Sequence, residues 1–356
     1  SVINSHLMIG GSMIVGNFSL LDKKFWKLSN FYEPCGNSIK INTIFQIWSK
    51  NHINNMYDII DYTNDKMRIY SMSDGGTVSS TRNKDMIGKC DVYIPSTCFG
   101  KENMKYYDNF DKSTLGFIAQ GSEFGFGKMY ARGINDSILE PGKDQFIQVV
   151  SCNTHNLSCL TKTIAFENEK LSNLKSGSFL CIRSANDLSQ EDSFIPAPQV
   201  GVHEDEQFGT HHARDAYGLF NTMGEKLDLF SSAMKVNSQY MHILWFTIKL
   251  NESMHLDDLK SRLVQNPLVA MTTKDMTSSV FSFGRDHGHY GRILNQTVIV
   301  EQSLNIRNGN EITGFCFTPQ DGNSILSSIS ATEWFLYPHS YEDKIQCLNE
   351  LFFEEI

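Results

Sequence analysis

QFIQVVSCNTHNLSCLTKTIAF, residues 145–166, passes from strand chemistry to helix chemistry around a single cysteine. Its opening run is rich in β-branched and aromatic side chains, the composition of a buried strand. Ser-Cys-Asn-Thr follows, and then a stretch that suits a helix. Cys152 therefore falls at or near a helix N-terminus, where unsatisfied N–H groups and the helix dipole stabilise a thiolate. A thiolate is what covalent attack on a carbonyl requires. Cys159 comes two helical turns later and is expected to be packed rather than reactive. The competing reading of Cys152 is a small hydrophobic side chain buried in a core.

Working outward, the upstream half alternates strand-length apolar runs with longer mixed segments. SVINSHLMIG (1–10), CDVYIPS (90–96) and TLGFIAQ (114–120) read as strands, and FQIWSKNHINNMYDIIDY (45–62) has helical spacing. Strands alternating with helices imply parallel βαβ units. After about residue 175 the texture changes. SGSFLCIRS, MHILWFTIKL (241–250), QTVIVEQSLNI (296–306) and EITGFCFTP (311–319) read as strands of a larger mixed or antiparallel sheet. The final stretch from Ala331 suits helix interrupted at Pro338. The expected class is α/β: an N-terminal parallel sheet plus an α+β domain.

Composition narrows the function. The chain has 356 residues, enough for two domains, with 40% hydrophobic and 20% charged residues, which is globular composition. Lys plus Arg number 31 against 40 Asp plus Glu, a net charge of -9. With no long basic run, nucleic acid is a poor partner, because phosphate-backbone affinity comes from clustered basic charge. No apolar stretch approaches the roughly 20 residues of a spanning helix, so no membrane partner is expected. Eight scattered cysteines form no CxxC pair, which suggests neither a disulfide framework nor a zinc ribbon. A reduced, cytoplasmic protein is the expectation.

A covalent cysteine needs a base. His242 lies in the apolar strand YMHILWFTIKL, where an ionisable side chain needs a partner. His211 and His212 lie in FGTHHARDAYG, read as a polar loop with Arg214 and Asp215 beside them. No acidic or cysteine ligand falls at metal spacing near that pair, and no metal is expected. His287 and His289, in GRDHGHYGR, read as part of an exposed glycine-rich turn.

Taken in order, these pieces resemble the archaeal-type (type II) glyceraldehyde-3-phosphate dehydrogenases. VVSCNTHNL is similar to that family's VVSCNTTGL, FGTHHARDA to PSHHGPDV, and NSQYMHILWFTIKL to PTTLMHxHxVMVE. CDVYIPSTCFGKEN, GFIAQGSE, IRSAND, FGRDHGHYGRIL and GNEITGFCFTPQD continue the likeness, collinear over roughly residues 70 to 330. The resemblance implies a Rossmann-like domain over 1–151, completed by a C-terminal helix at about 325–356, and a catalytic-type domain over 152–324. It implies Cys152 as nucleophile and His242 as base. Asn153, Thr154, Arg183, His211 and His212 would bind substrate, and Asn4, Gly10, Gly11, Gln120 and Gly121 would bind cofactor. It further implies NAD or NADP as cofactor, a small phosphorylated aldehyde as substrate, and a homo-oligomer, tetrameric by resemblance.

The departures concentrate on the cofactor side. Where the family has the dinucleotide fingerprint INGYGTVGKR, this chain has INSHLMIGGS, with Ser5 and Leu7 in place of glycines. Glycines there let the backbone approach a pyrophosphate. On the substrate side Ile182 replaces an arginine, and Asn156 replaces the glycine after the nucleophile, which is expected to tighten the phosphate pocket. Two readings follow: an aldehyde dehydrogenase working through a cysteine thioester, or a non-catalytic homologue that has lost cofactor binding and serves as a structural or regulatory subunit.

Overall fold

The computed structural model describes residues 115–185, 195–289, 291–320 and 322–356, and upstream of these only the backbone of short strands. The chain divides into two units. One comprises residues 1–128, 139–149 and 327–350, and the other 129–138, 150–326 and 351–356.

The first unit holds parallel strands β1 (Asn42–Ile44), β2 (Arg68–Ser71), β3 (Val92–Ile94), β4 (Gly116–Gln120) and β5 (Phe146–Val149), in that spatial order. Every residue of β4 is buried, as expected for a strand of a parallel sheet covered on both faces. Gly116 has no side chain for a local reason: a Cβ there would sit 2.0 Å from the Phe335 ring. Upstream, Leu7–Ile9 pairs antiparallel with Ser12–Ile14, Ile9 opposite Ser12. Neither segment is among the described strands of the parallel sheet. The helix expected over 45–62 lies outside the described residues.

The second unit is built on one mixed sheet. Its elements in chain order are α1 (Cys152–Ala165), β6 (Leu174–Arg183), β7 (Gln199–Val200), α2 (His211–Asn221), β8 (Leu229–Lys235), β9 (His242–Leu250), α3 (Leu256–Gln265), β10 (Val269–Thr272), α4 (Thr277–His287), β11 (Thr297–Val300), β12 (Asn305–Arg307) and β13 (Glu311–Thr318). The strands lie in the order β7-β8-β6-β9-β13-β11-β10, with β12 on β13. β6 and β8 are parallel, as are β10 and β11, and the remaining pairs are antiparallel. The parallel pairs arise because helices α2 and α4 lie in the connections, and a parallel pair needs such a crossover.

Two local readings change. QTVIVEQSLNI is not one strand but β11, a 3-10 turn at Glu301–Ser303, and β12. The Ser303 hydroxyl causes the break, donating to the Val300 carbonyl (2.7 Å) and accepting from the Phe315 N–H (2.8 Å) in place of ladder bonds. The His211–His212 segment is not a loop but the start of α2, whose buried Ala213, Ala216, Leu219 and Phe220 form a helical stripe.

The main core sits between this sheet and α1, α2 and α3. Leu244, Phe246, Ile248 and Leu250 of β9 meet Leu157, Leu160 and Ile164 of α1, Leu219 and Phe220 of α2, and Leu259 and Leu263 of α3. Full burial of each such side chain is worth roughly 1.5–3 kcal/mol. That packing fixes where α1 starts. Among the described residues no helix is long and apolar enough to cross a membrane.

Candidate active site

Cys152 is the first residue of α1. Ser151 precedes it in extended conformation (φ -67, ψ 160) and caps the helix, its hydroxyl accepting from the Thr154 N–H and lying 2.8 Å from the Thr154 hydroxyl. Cys152 is partly exposed and outside any disulfide, whereas Cys159 further along α1 is fully buried. Burial pushes the Cys159 thiol up to about 12, and the Cys316 thiol likewise to about 12. Cys181 is raised by burial too.

Strand parity brings the partners to that helix end. β9 alternates buried and half-buried residues, and His242 is the first of its buried set, on the face that α1 covers. His242 stands opposite Thr318 of β13, and Arg183 of β6 stands opposite Lys235 of β8. Arg183 lies one step beyond the Ile182–Ile243 pair, so Lys235, Arg183, His242 and Thr318 form a row across the end of four adjacent strands. Thr318 closes the row onto α1. Its hydroxyl donates to Asn153 Oδ1 (3.0 Å) and accepts from Asn156 Nδ2 (2.7 Å). Asn323 adds a second tie, donating through Nδ2 to the Cys152 carbonyl (2.9 Å). The helix end carrying the thiol and the strand end carrying the imidazole are thereby held together.

The surroundings of His242 fix its tautomer. The Ser184 N–H donates to His242 Nδ1 at 3.0 Å, with the Ser184 hydroxyl at 3.2 Å. A neutral imidazole whose Nδ1 accepts must carry its proton on Nε2. Burial, reinforced by the positive charges of Arg183 and Lys235, holds His242 down at about 3. His211 and His212 are tilted against each other, with ring centroids 4.0 Å apart. Burial lowers both. Arg183 and Arg214 lower His211 further while Asp215 and Glu204 oppose them, and His211, Arg183 and His242 lower His212. His212 is 3% exposed, and among the described residues neither of its ring nitrogens has a hydrogen-bond partner. Asp215, fully buried, accepts from Nε (3.0 Å) and Nη2 (2.9 Å) of Arg214 through one oxygen.

Cys152, Asn153, Thr154, Arg183, His211, His212 and His242 thus fall within one unit, with Arg183 acting electrostatically on all three imidazoles. Asn153 and Thr154 are buried and serve the frame of α1. Gln120 and Gly121 belong to the other unit, at the carboxyl end of β4. There Gln120 bonds to the Ser328 hydroxyl, and Gly121 has φ 93, a conformation that favours glycine. Asn4, Gly10 and Gly11 lie outside the described residues. Among the described residues no three His, Cys, Asp or Glu side chains are placed to hold a metal ion.

Asn156, at the position after the nucleophile where the resembled family has a glycine, also takes a definite form. Asn156 is fully buried and turned toward β13, donating to Thr318 and accepting from the Cys316 thiol (3.3 Å). His155 is buried, bonded through Nδ1 to the Ser151 carbonyl (3.0 Å) and lowered by burial to about 4. The sequence reading did not single out Ser184, Thr318 or Asn323. Thr318 was accessible through strand register alone, whereas nothing in sequence spacing links Asn323 to Cys152.

No family model matches the chain. It is similar to glyceraldehyde-3-phosphate dehydrogenase of Sulfolobus acidocaldarius, 25% identical over 277 residues covering 75% of this chain and 76% of the relative. The enzyme of that name from Methanobacterium bryantii is 25% identical over 72% of this chain and 74% of its own length. That from Methanocaldococcus jannaschii is 23% identical over 68% and 69%. The chain is thus similar, over about 70% of its length or more, to archaeal enzymes named glyceraldehyde-3-phosphate dehydrogenase.

Proposed function

From that likeness, we propose that the chain carries out thiol-based aldehyde chemistry at Cys152, with a small phosphorylated aldehyde as substrate. The observation that carries the reading is the row of Arg183, His242 and Thr318 closed onto the N-terminus of α1. The Cys152 thiolate forms a C–S bond to the aldehyde carbon, and the carbonyl π electrons move to oxygen. His242 meets that oxygen as a hydrogen-bond donor through Nε2–H, because its Nδ1 already accepts from Ser184. The base expected from the resemblance would need the other tautomer. Arg183, with His211 and His212 beside it, holds the substrate's anionic group.

A nicotinamide dinucleotide, NAD or NADP, would supply the hydride acceptor that the relatives' chemistry implies. Gln120 and Gly121 suit its ring end, at the carboxyl edge of a parallel sheet. The pyrophosphate end departs in sequence from what such a group needs, with Ser5 and Leu7 where the family has glycines. A glycine turn leading from strand into helix is required there, and the segments around that point pair antiparallel instead. This favours the second reading, a homologue without cofactor that acts as a structural or regulatory subunit.

Calorimetric titration with NAD and with NADP separates the two. Saturable binding supports the dehydrogenase, and Cys152→Ala should then abolish aldehyde oxidation while the fold survives. Absence of binding at millimolar cofactor excludes hydride transfer to a dinucleotide and leaves the subunit reading. A homo-oligomer is part of the same proposal, and light scattering on the purified chain measures its size.

A further inference from the structure

We propose that the buried His211–His212 pair takes up one proton when a divalent oxyanion binds at Arg183, so that this site accepts its anion and a proton together. The inference rests on the reading of Arg183 as the anion anchor and adds a charge requirement to it.

Among the described residues, few charged groups act on the pair. The Arg183 charge on β6 acts on both imidazoles, and His242 on β9 acts on His212. Asp215 and Arg214 face His211 from α2 itself, and Glu204 faces it from the segment before α2. Lys235 of β8 faces His242. Asp215 is engaged by Arg214, and none of the ion pairs among the described residues uses Arg183. With the three rings neutral, Arg183, Arg214 and Lys235 set against Asp215 and Glu204 leave this cluster a balance of one positive charge.

A dianion seated on Arg183 leaves one uncompensated negative charge in a partly buried place, which is unfavourable. His212 is positioned to answer it. Both its ring nitrogens are buried and neither has a hydrogen-bond partner among the described residues, so an oxyanion would supply the acceptor that its N–H lacks there. The same negative charge favours the imidazolium form, and one proton brings the cluster to neutrality. Two protons are excluded by the 4.0 Å between ring centroids, since two adjacent imidazolium ions repel.

Sulfate is the probe, because it stays divalent through the neutral range and brings no proton of its own. Its binding to the intact chain is measured by calorimetry from about pH 6 to about pH 8, in buffers of low and high ionisation enthalpy. Expected are a fall in affinity approaching about tenfold per pH unit and a buffer-dependent heat corresponding to uptake of up to one proton. A double variant, His211→Gln with His212→Gln, should bind more weakly with a flat pH profile, whereas His203→Gln, outside the cluster, should keep the slope. Saturable binding with no pH or buffer dependence overturns the proton uptake and leaves the anion site standing. A slope that persists in the double variant overturns it as well. No binding even at the acid end removes both the anion site and the proposal. If the double variant does not fold, the imidazole NMR signals of the wild-type chain decide: one ring of the pair must shift to the imidazolium position on adding sulfate, and unmoved signals overturn the proposal.

Discussion

Cys152 and Cys159 ride on the same helix, and their surroundings set them apart. The first begins α1 at the positive end of the helix dipole and is partly exposed, while burial drives the second up to about 12. Iodoacetamide at about pH 6 should therefore label Cys152 and leave Cys159 untouched until the chain unfolds, because only a thiolate alkylates. Peptide mapping reads the result, and equal labelling of both would remove the case for an activated Cys152. His242 has its own test. With Nδ1 occupied by the Ser184 N–H, its donor group is Nε2–H, so His242→Gln, which retains an N–H donor, should lose less activity than His242→Ala. Equal losses would argue that proton abstraction is its task.

At the scale of elements, the site is a junction between a helix start and a strand end. Ser151→Ala removes the cap of α1 and should cost about 0.5–2 kcal/mol in urea unfolding. Thr318→Val goes further. It strips Asn153 and Asn156 of their shared hydroxyl inside the fold, an expected loss of about 1–3 kcal/mol. It should also slow alkylation of Cys152, because the helix end is no longer fastened to β13, and Thr318→Ser should restore both. A Thr318→Val protein with unchanged thiol reactivity would show that this fastening does not matter to the nucleophile.

For the molecule as a whole, buried neutral histidines make acid the destabilising direction. His155 and His242 are held at about 4 and about 3 by burial, and His212 well below its ordinary value, while in the unfolded chain each titrates near 6.5. Below that value the unfolded state binds more protons, so stability present above it is lost as pH falls toward the folded values. The slope is up to about 1.4 kcal/mol per pH unit for each histidine. The urea midpoint should accordingly drop between about pH 6.5 and about pH 4, and a flat profile would mean these rings are already solvated. Much of this architecture is legible in the residues. Apolar alternation in MHILWFTIKL specifies β9 and the buried parity of His242, and the switch from strand to helix chemistry around Ser151 puts Cys152 at a helix start, because both follow from periodicities of 2 and 3.6 within one segment. The α/β class follows from the same alternation, and the likeness to the dehydrogenases from the order of motifs. Other features depend on elements far apart in the chain. The His211 helix was misread as a loop because its apolar stripe is short and flanked by polar residues. Strand register, which no local pattern encodes, sets Arg183, His242 and Thr318 in one row, and the packing of distant helices brings Asn323 to the Cys152 carbonyl. Sequence by itself determined which residues could do chemistry, and only tertiary packing decided which of them meet, since burial and long-range hydrogen bonds exist only once the sheet has closed under α1.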